Sequence, residues 1–99
     1  MAVIKTETEV IGVLFDGQVW LEGQESKLAY DGDETRKSTD FVDVTDGVLN
    51  IMFHGVGIAG TAWKVTINLL EPDVKEFFKK TGSIQSNGHS LIEDSKPLP

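Results

Sequence analysis

Three dipeptides that favour tight turns divide this chain into segments that alternate like β-strands: Asp16-Gly17, Asp46-Gly47 and Asn87-Gly88. Asn-Gly and Asp-Gly accept the positive φ angles of a type I′ turn, which matches the twist of a β-hairpin. The sequence therefore predicts an all-β fold, mainly an antiparallel β-sandwich or jelly-roll-like domain of about seven or eight strands. These segments contain no motif that specifies a reaction, so they constrain the fold more than the function.

The first predicted hairpin pairs residues 10–15 with residues 18–22 and is apolar on both faces. A sandwich buries one face of such a hairpin, so its other face needs cover from elsewhere. The predicted helix, a second copy of the chain or another protein would each supply that cover. We therefore assign Val13, Phe15 and Trp20 to a binding surface.

The second turn and the segment 62–69 predict most of the hydrophobic core. Apolar residues alternate with polar ones on both sides of Asp46-Gly47, so we expect them to share one buried face. These residues are Val42, Val44, Leu49, Ile51 and Phe53. Segment 62–69 alternates in the same way, with Trp63, Val65, Ile67 and Leu69 pointing inward. Trp63 is therefore interpreted as a core residue.

A change of periodicity predicts one short C-terminal helix over residues 72–81. Pro72 suits the first position of a helix. Val74, Phe77 and Phe78 stand three and four residues apart, which places them on one apolar stripe of a helix.

The length of 99 residues is enough for one hydrophobic core. We expect a single β-sandwich-like domain over residues 1–94, which includes the helix. The sequence after that point is short and ends in two prolines separated by Leu98. It predicts a flexible tail over residues 95–99.

The charge balance excludes some classes of partner. The chain has 16 acidic and 9 basic residues and a net charge of −7, which repels phosphate backbones, so nucleic-acid binding is not expected. It has no cysteine for a disulfide or a thiolate zinc site. No apolar stretch resembles a signal peptide or a membrane span, which predicts a cytoplasmic protein without a membrane partner and leaves export by other routes open.

Two patterns that imitate ligand sites fail on inspection. Glycines at 55, 57 and 60 have the spacing of a dinucleotide-binding loop, but a predicted strand follows them where that site requires a helix. The loop with Asp31 and Asp33 lacks the ligand spacing of an EF-hand. We therefore predict no cofactor and no metal.

The histidines are His54 and His89, and their spacing does not match a zinc motif. No nucleophile elbow or other local signature of a catalytic triad is present, so we predict that the protein is not an enzyme. The alternative that stays open is a small enzyme or metal site around His54 and the acidic loop. His54 is its first candidate because histidine titrates near neutral pH.

The leading hypothesis is a small acidic, non-enzymatic module that binds another protein or itself. One form of it is an inhibitor or immunity-type protein that neutralises a basic target. The alternative is a carbohydrate-binding, lectin-like module that stacks a sugar on an aromatic ring beside carboxylates or Asn50. The predicted binding residues are Trp20, Val13, Phe15, Tyr30, Asp31 and Asp33.

Overall fold

The computed structural model describes residues 2–32 and 34–99, and within them it shows nine β-strands and no helix. The strands are β1 (Ala2–Ile11), β2 (Asp16–Leu21), β3 (Gln24–Ser26), β4 (Ala29–Tyr30), β5 (Thr35–Val44), β6 (Val48–Val56), β7 (Ala62–Leu69), β8 (Lys75–Ser83) and β9 (His89–Pro97). The described residues provide no long apolar helix of the kind that crosses a membrane. The prediction of an all-β fold is confirmed, and the prediction of a C-terminal helix is wrong.

The described strands form two antiparallel sheets. The five-stranded sheet has the order β4-β5-β1-β7-β8, and the four-stranded sheet has the order β3-β2-β6-β9. Consecutive strands often lie in different sheets, because the chain leaves the five-stranded sheet after β1, β5 and β8.

Alternate side chains of both sheets enter one hydrophobic core. The core includes every apolar residue that the alternation predicts to be inward: Val42, Val44, Leu49, Ile51, Phe53, Trp63, Val65, Ile67 and Leu69. Val10 from β1 and Val19 from β2 join them. The rings of Phe53 and Trp63 lie 4.7 Å apart between centroids, so aromatic contact links strands of the two sheets.

The first predicted hairpin does not form. β1 pairs with β5 and β7, while β2 pairs with β3 and β6, so residues 10–15 and 18–22 lie in different sheets. Asp16-Gly17 belongs to β2, where Gly17 is buried opposite Gly55. The carboxylate of Asp16 accepts a hydrogen bond from the Gly17 amide at 2.9 Å, which satisfies this donor inside an extended strand.

A different dipeptide makes the tight hairpin. Glu22 and Gly23 have φ angles of 53° and 75°, and they connect β2 to β3 where Leu21 pairs with Gln24. Two central residues with positive φ are the requirement of a type I′ turn. Glu22 fills the first of these positions although it is neither Asn, Asp nor Gly, so the dipeptide signal missed it.

The other two predicted turns exist but join strands of different sheets. Gly47 and Gly88 have positive φ angles of 71° and 84°. Asp46-Gly47 lies between β5 and β6, and Asn87-Gly88 lies between β8 and β9. The predicted hairpin pairing across Asp46-Gly47 is therefore wrong, although the predicted inward residues are correct.

Strand β8 replaces the predicted helix at residues 72–81. It pairs with β7, and the register shifts between Ile67 and Asn68, which is the signature of a β-bulge. The bulge lets the adjacent residues Phe77 and Phe78 both be buried, whereas Val74 is exposed. Two adjacent buried aromatics interrupt the alternation expected of a strand. Together with Val74 they have the three- and four-residue spacing of a helix, which is why the sequence predicts a helix here.

Strand β9 continues to Pro97, so residues 95–97 lie in the four-stranded sheet where a flexible tail was predicted. The Lys96 ammonium donates a hydrogen bond to the Phe77 carbonyl at 2.6 Å. This contact joins β8 and β9, the edge strands of the two sheets. The amide of Leu98 donates to the carbonyl of Gly47 at 2.8 Å, which holds the residue after the strand.

Candidate functional site

Residues 12–15, here called the crossover segment, carry the chain from the five-stranded to the four-stranded sheet. The Gly12 amide donates to the Glu34 carbonyl at 2.9 Å, and the Phe15 amide donates to the Val56 carbonyl at 2.8 Å. Leu14 is buried between these anchors. Val13 and Phe15 on either side of it are consequently turned to solvent, and Phe15 is 71% exposed.

Arg36 connects Tyr30 to the crossover segment. Its Nη2 atom donates to the Tyr30 hydroxyl at 2.6 Å and to the Leu14 carbonyl at 2.9 Å. The guanidinium carbon lies 4.5 Å from the centroid of the Tyr30 ring. Arg36 is 6% exposed, and its Nη1 atom has no hydrogen-bond partner within residues 2–32 and 34–99. The exposed Tyr30 ring is therefore held at the same end of the sheets as Val13 and Phe15.

Ile58 adds an exposed apolar side chain at this end, here called the crossover end. It lies in the loop between β6 and β7, which is closed by a hydrogen bond from the Thr61 amide to the Ile58 carbonyl at 3.0 Å. The Gly57 amide also donates to the Gly88 carbonyl at 3.0 Å. As predicted, a strand follows these glycines. The sequence signal for this side chain, an isoleucine within a glycine-rich loop, is not among the features that predict the binding surface.

Carboxylates accompany the apolar residues of the crossover end. Asp16 follows Phe15 in the chain, and Asp31 follows Tyr30. The backbone carbonyl of Glu34 accepts the hydrogen bond from the Gly12 amide of the crossover segment. The side chains of these three acidic residues are exposed. Asp33, which was predicted to belong to the binding surface, lies outside the described residues.

Lys37 forms ion pairs with Asp31, one of these carboxylates, and with Glu9 on β1. Its ammonium lies 3.1 Å from a carboxylate oxygen of Asp31 and 3.6 Å from one of Glu9. The hydrogen bond and the charge of Asp31 raise the pKa of Lys37 above its usual 10.5, with a smaller contribution from nearby glutamates. The Lys37 ammonium therefore partly neutralises the carboxylates of Asp31 and Glu9.

Trp20 lies on a different surface, the outer face of the four-stranded sheet, where it pairs with Met52 and Glu25. It lines a depression of ≈520 Å³ together with Asn50, Met52 and Glu93. The Asn50 amide donates to Glu22 at 2.8 Å and accepts from the Ser95 hydroxyl at 2.7 Å. The structure thus separates Trp20 from Val13, Phe15, Tyr30 and Asp31 and brings it close to Asn50.

The two histidines meet on the same outer face. Nε2 of His54 lies 3.1 Å from Nδ1 of His89, and the two ring planes differ by 8°. Nδ1 of His54 faces the side-chain oxygen of Gln18 at 3.4 Å. Among the described residues, no group of three or more His, Cys, Asp or Glu is arranged to hold a metal ion. His54 therefore contacts His89 on the four-stranded sheet, whereas Asp31 and Glu34 lie beside β4 and β5 of the five-stranded sheet. The structure does not bring His54 together with these two carboxylates.

Comparisons of the chain with protein-family models, with curated proteins and with solved structures give no match.

Proposed function

We propose that this protein is a non-enzymatic binding module of β-sandwich or jelly-roll-like architecture that docks another protein through its crossover end. The expected partner presents an apolar site surrounded by basic residues. The single core shared by both sheets supports the sandwich arrangement.

The observation that carries the docking proposal is the exposure of apolar side chains at one end of the sheets. Val13, Phe15, Tyr30 and Ile58 are all exposed there. Scattered single apolar residues are ordinary on a protein surface, whereas a group of them indicates an interaction site. Large aromatic residues such as phenylalanine and tyrosine are also enriched at interfaces.

The charges select the kind of partner. Asp16, Asp31 and Glu34 are exposed at the crossover end, and the whole chain carries −7. Lys37 offsets Asp31 and Arg36 is buried, but the net charge of the whole chain would still make two copies repel each other, which favours a basic partner over self-association. Complementary charge of this kind accelerates encounter and makes the association rate fall with salt.

The experiment compares two phenylalanines of similar exposure. Phe15 is 71% exposed at the crossover end, and Phe41 is 67% exposed on β5 near the opposite end. Burial of one such side chain is worth about 2 kcal/mol, so Phe15→Ser should weaken docking roughly 30-fold. Phe41→Ser should leave docking unchanged and serves as the matched control.

The wild-type chain and the two variants are used as baits in a lysate of the source organism at low salt. The recovered proteins are quantified by mass spectrometry. We expect a basic protein that the wild type and Phe41→Ser retain and that Phe15→Ser and high salt release. Equal recovery of every protein by Phe15→Ser and the wild type would refute the proposed surface. A homodimer in sedimentation that Phe15→Ser dissociates would replace this proposal with self-association.

A second candidate function, carbohydrate binding, is supported by the Trp20 depression. A half-exposed indole beside an amide fixed by two hydrogen bonds supplies a stacking face and directed polar groups. We expect Trp20→Ala to abolish a glycan response on an array, while Tyr30→Ala leaves it unchanged. The absence of any response from the wild-type chain would refute this candidate.

A further inference from the structure

We propose that His54 and His89 form a binding site for a divalent transition-metal ion that prefers imidazole ligands, of the Cu²⁺, Ni²⁺ and Zn²⁺ class. The site is independent of the docking proposal. It lies on the outer face of the four-stranded sheet, where neighbouring strands β6 and β9 carry the two rings.

The separation of the two ring nitrogens fits a shared ion. Metal–nitrogen bonds of about 2.0–2.1 Å with angles near 90–109° place two ligand nitrogens about 2.8–3.4 Å apart. Nε2 of His54 and Nδ1 of His89 are 3.1 Å apart. The ring centroids are 5.3 Å apart, so the two nitrogens now point at each other, and each ring must rotate by about 40° for both electron pairs to meet at one ion. The proton between the nitrogens leaves Nδ1 of His89 to water, and Nε2 of the same ring takes up a proton, so that both rings remain neutral.

Gln18 prepares His54 to be a ligand. Its side-chain oxygen faces Nδ1 of His54 at 3.4 Å and can only accept a hydrogen bond, so this contact favours the neutral tautomer with its proton on Nδ1. Nε2 then carries the free electron pair that a metal requires. Histidine ligands usually donate their second nitrogen to a carbonyl or carboxylate in this way, and loss of that contact weakens metal binding by about 10–100-fold.

The ligand set determines the class of ion. Two neutral imidazoles favour copper, nickel and zinc over magnesium and calcium, which prefer oxygen ligands. Within the described part of the chain no third His, Cys, Asp or Glu completes the group. Water would therefore occupy the remaining positions.

The test titrates the chain, free of any affinity tag, with CuCl₂, NiCl₂ and ZnCl₂ in a calorimeter, and with MgCl₂ as the control ion. We expect one ion per chain for the transition metals and no heat from magnesium. His54→Ala and His89→Ala should each abolish this binding. Gln18→Ala should weaken it at least about 10-fold, whereas Gln18→Glu, which keeps an acceptor at Nδ1, should retain it.

A second measurement needs no variant. The chain has two histidines, so their imidazole NMR signals are easily assigned. Addition of paramagnetic Ni²⁺ should broaden the signals of both rings before those of other residues. Broadening that begins at carboxylate side chains, or calorimetric binding that survives in either single-histidine variant, would overturn the proposal. The absence of heat with all three transition metals would do so as well.

Discussion

Gly82→Ala should destabilise the protein, because Trp63 occupies the space that a side chain would need. The two residues are paired across β7 and β8. A Cβ atom at Gly82 would lie 2.5 Å from Cζ2 of Trp63 and 3.0 Å from its Cε2. The indole is 4% exposed, donates to the Ser90 hydroxyl at 3.2 Å and contacts Phe53. It therefore cannot move aside without loss of other contacts.

Two opposing effects determine the magnitude. Alanine restricts the unfolded chain more than glycine and, at a position without strain, stabilises by about 0.4–1 kcal/mol. Overpacking of a rigid core costs about 1–3 kcal/mol. We expect the second effect to dominate, with a net loss of about 1–2 kcal/mol in the free energy of unfolding. For a domain of this size the melting temperature should fall by roughly 10 °C.

The assay is a double-mutant cycle in urea with Gly82→Ala, Trp63→Phe and the combined variant. Phenylalanine lacks the part of the indole that bears Cζ2, so Gly82→Ala should become neutral or stabilising in the Trp63→Phe background. Gly57→Ala is the control, since a Cβ there would approach no atom closer than 3.5 Å. An equal cost of Gly82→Ala in both backgrounds would refute the steric explanation.

Three further predictions concern the turn and the charges. Gly23→Ala should cost about 1 kcal/mol, measured as a shift of the urea midpoint, because Gly23 has a φ of 75° with no atom near the added Cβ. Arg36→Met should lower the free energy of unfolding by about 2 kcal/mol, because the two hydrogen bonds that the buried guanidinium donates are lost. The same variant should accelerate amide hydrogen exchange around Tyr30. Lys37→Met should lower stability at neutral pH by removing the contact with Asp31 that raises the Lys37 pKa. Because the folded-state pKa is the higher one, this difference is fully present below pH 10.5 and should disappear as the pH rises through the folded-state pKa in a pH series of urea melts.

The sequence predicted which side chains are buried better than which strands pair. Val44 and Leu49 alternate with polar residues on either side of a turn, and both are in the core. The alternation is the same whether two strands are hydrogen-bonded neighbours or face each other across the core, so it does not distinguish a hairpin from a crossing between sheets. The dipeptide signal then favoured the hairpin, and the two sheets contradict it.

The parts that the sequence did not predict depend on register. Phe77 and Phe78 are both buried because of a bulge, and a bulge has no fixed sequence signal. The meeting of His54 with His89 requires that β6 and β9 be neighbours with one particular alignment. Residues 35 positions apart reveal no such relation in a single sequence.

The exposure of Phe15 follows from the topology and still calls for a functional explanation. A segment that crosses between sheets needs one buried anchor, and Leu14 supplies it. Its neighbours must then face outward, but nothing in the crossing requires them to be apolar. Polar residues at 13 and 15 would serve the crossing equally and would avoid the association that exposed aromatics promote. The apolar character of Val13 and Phe15 is therefore not explained by folding, and the proposed docking surface is the explanation that the Phe15→Ser experiment tests.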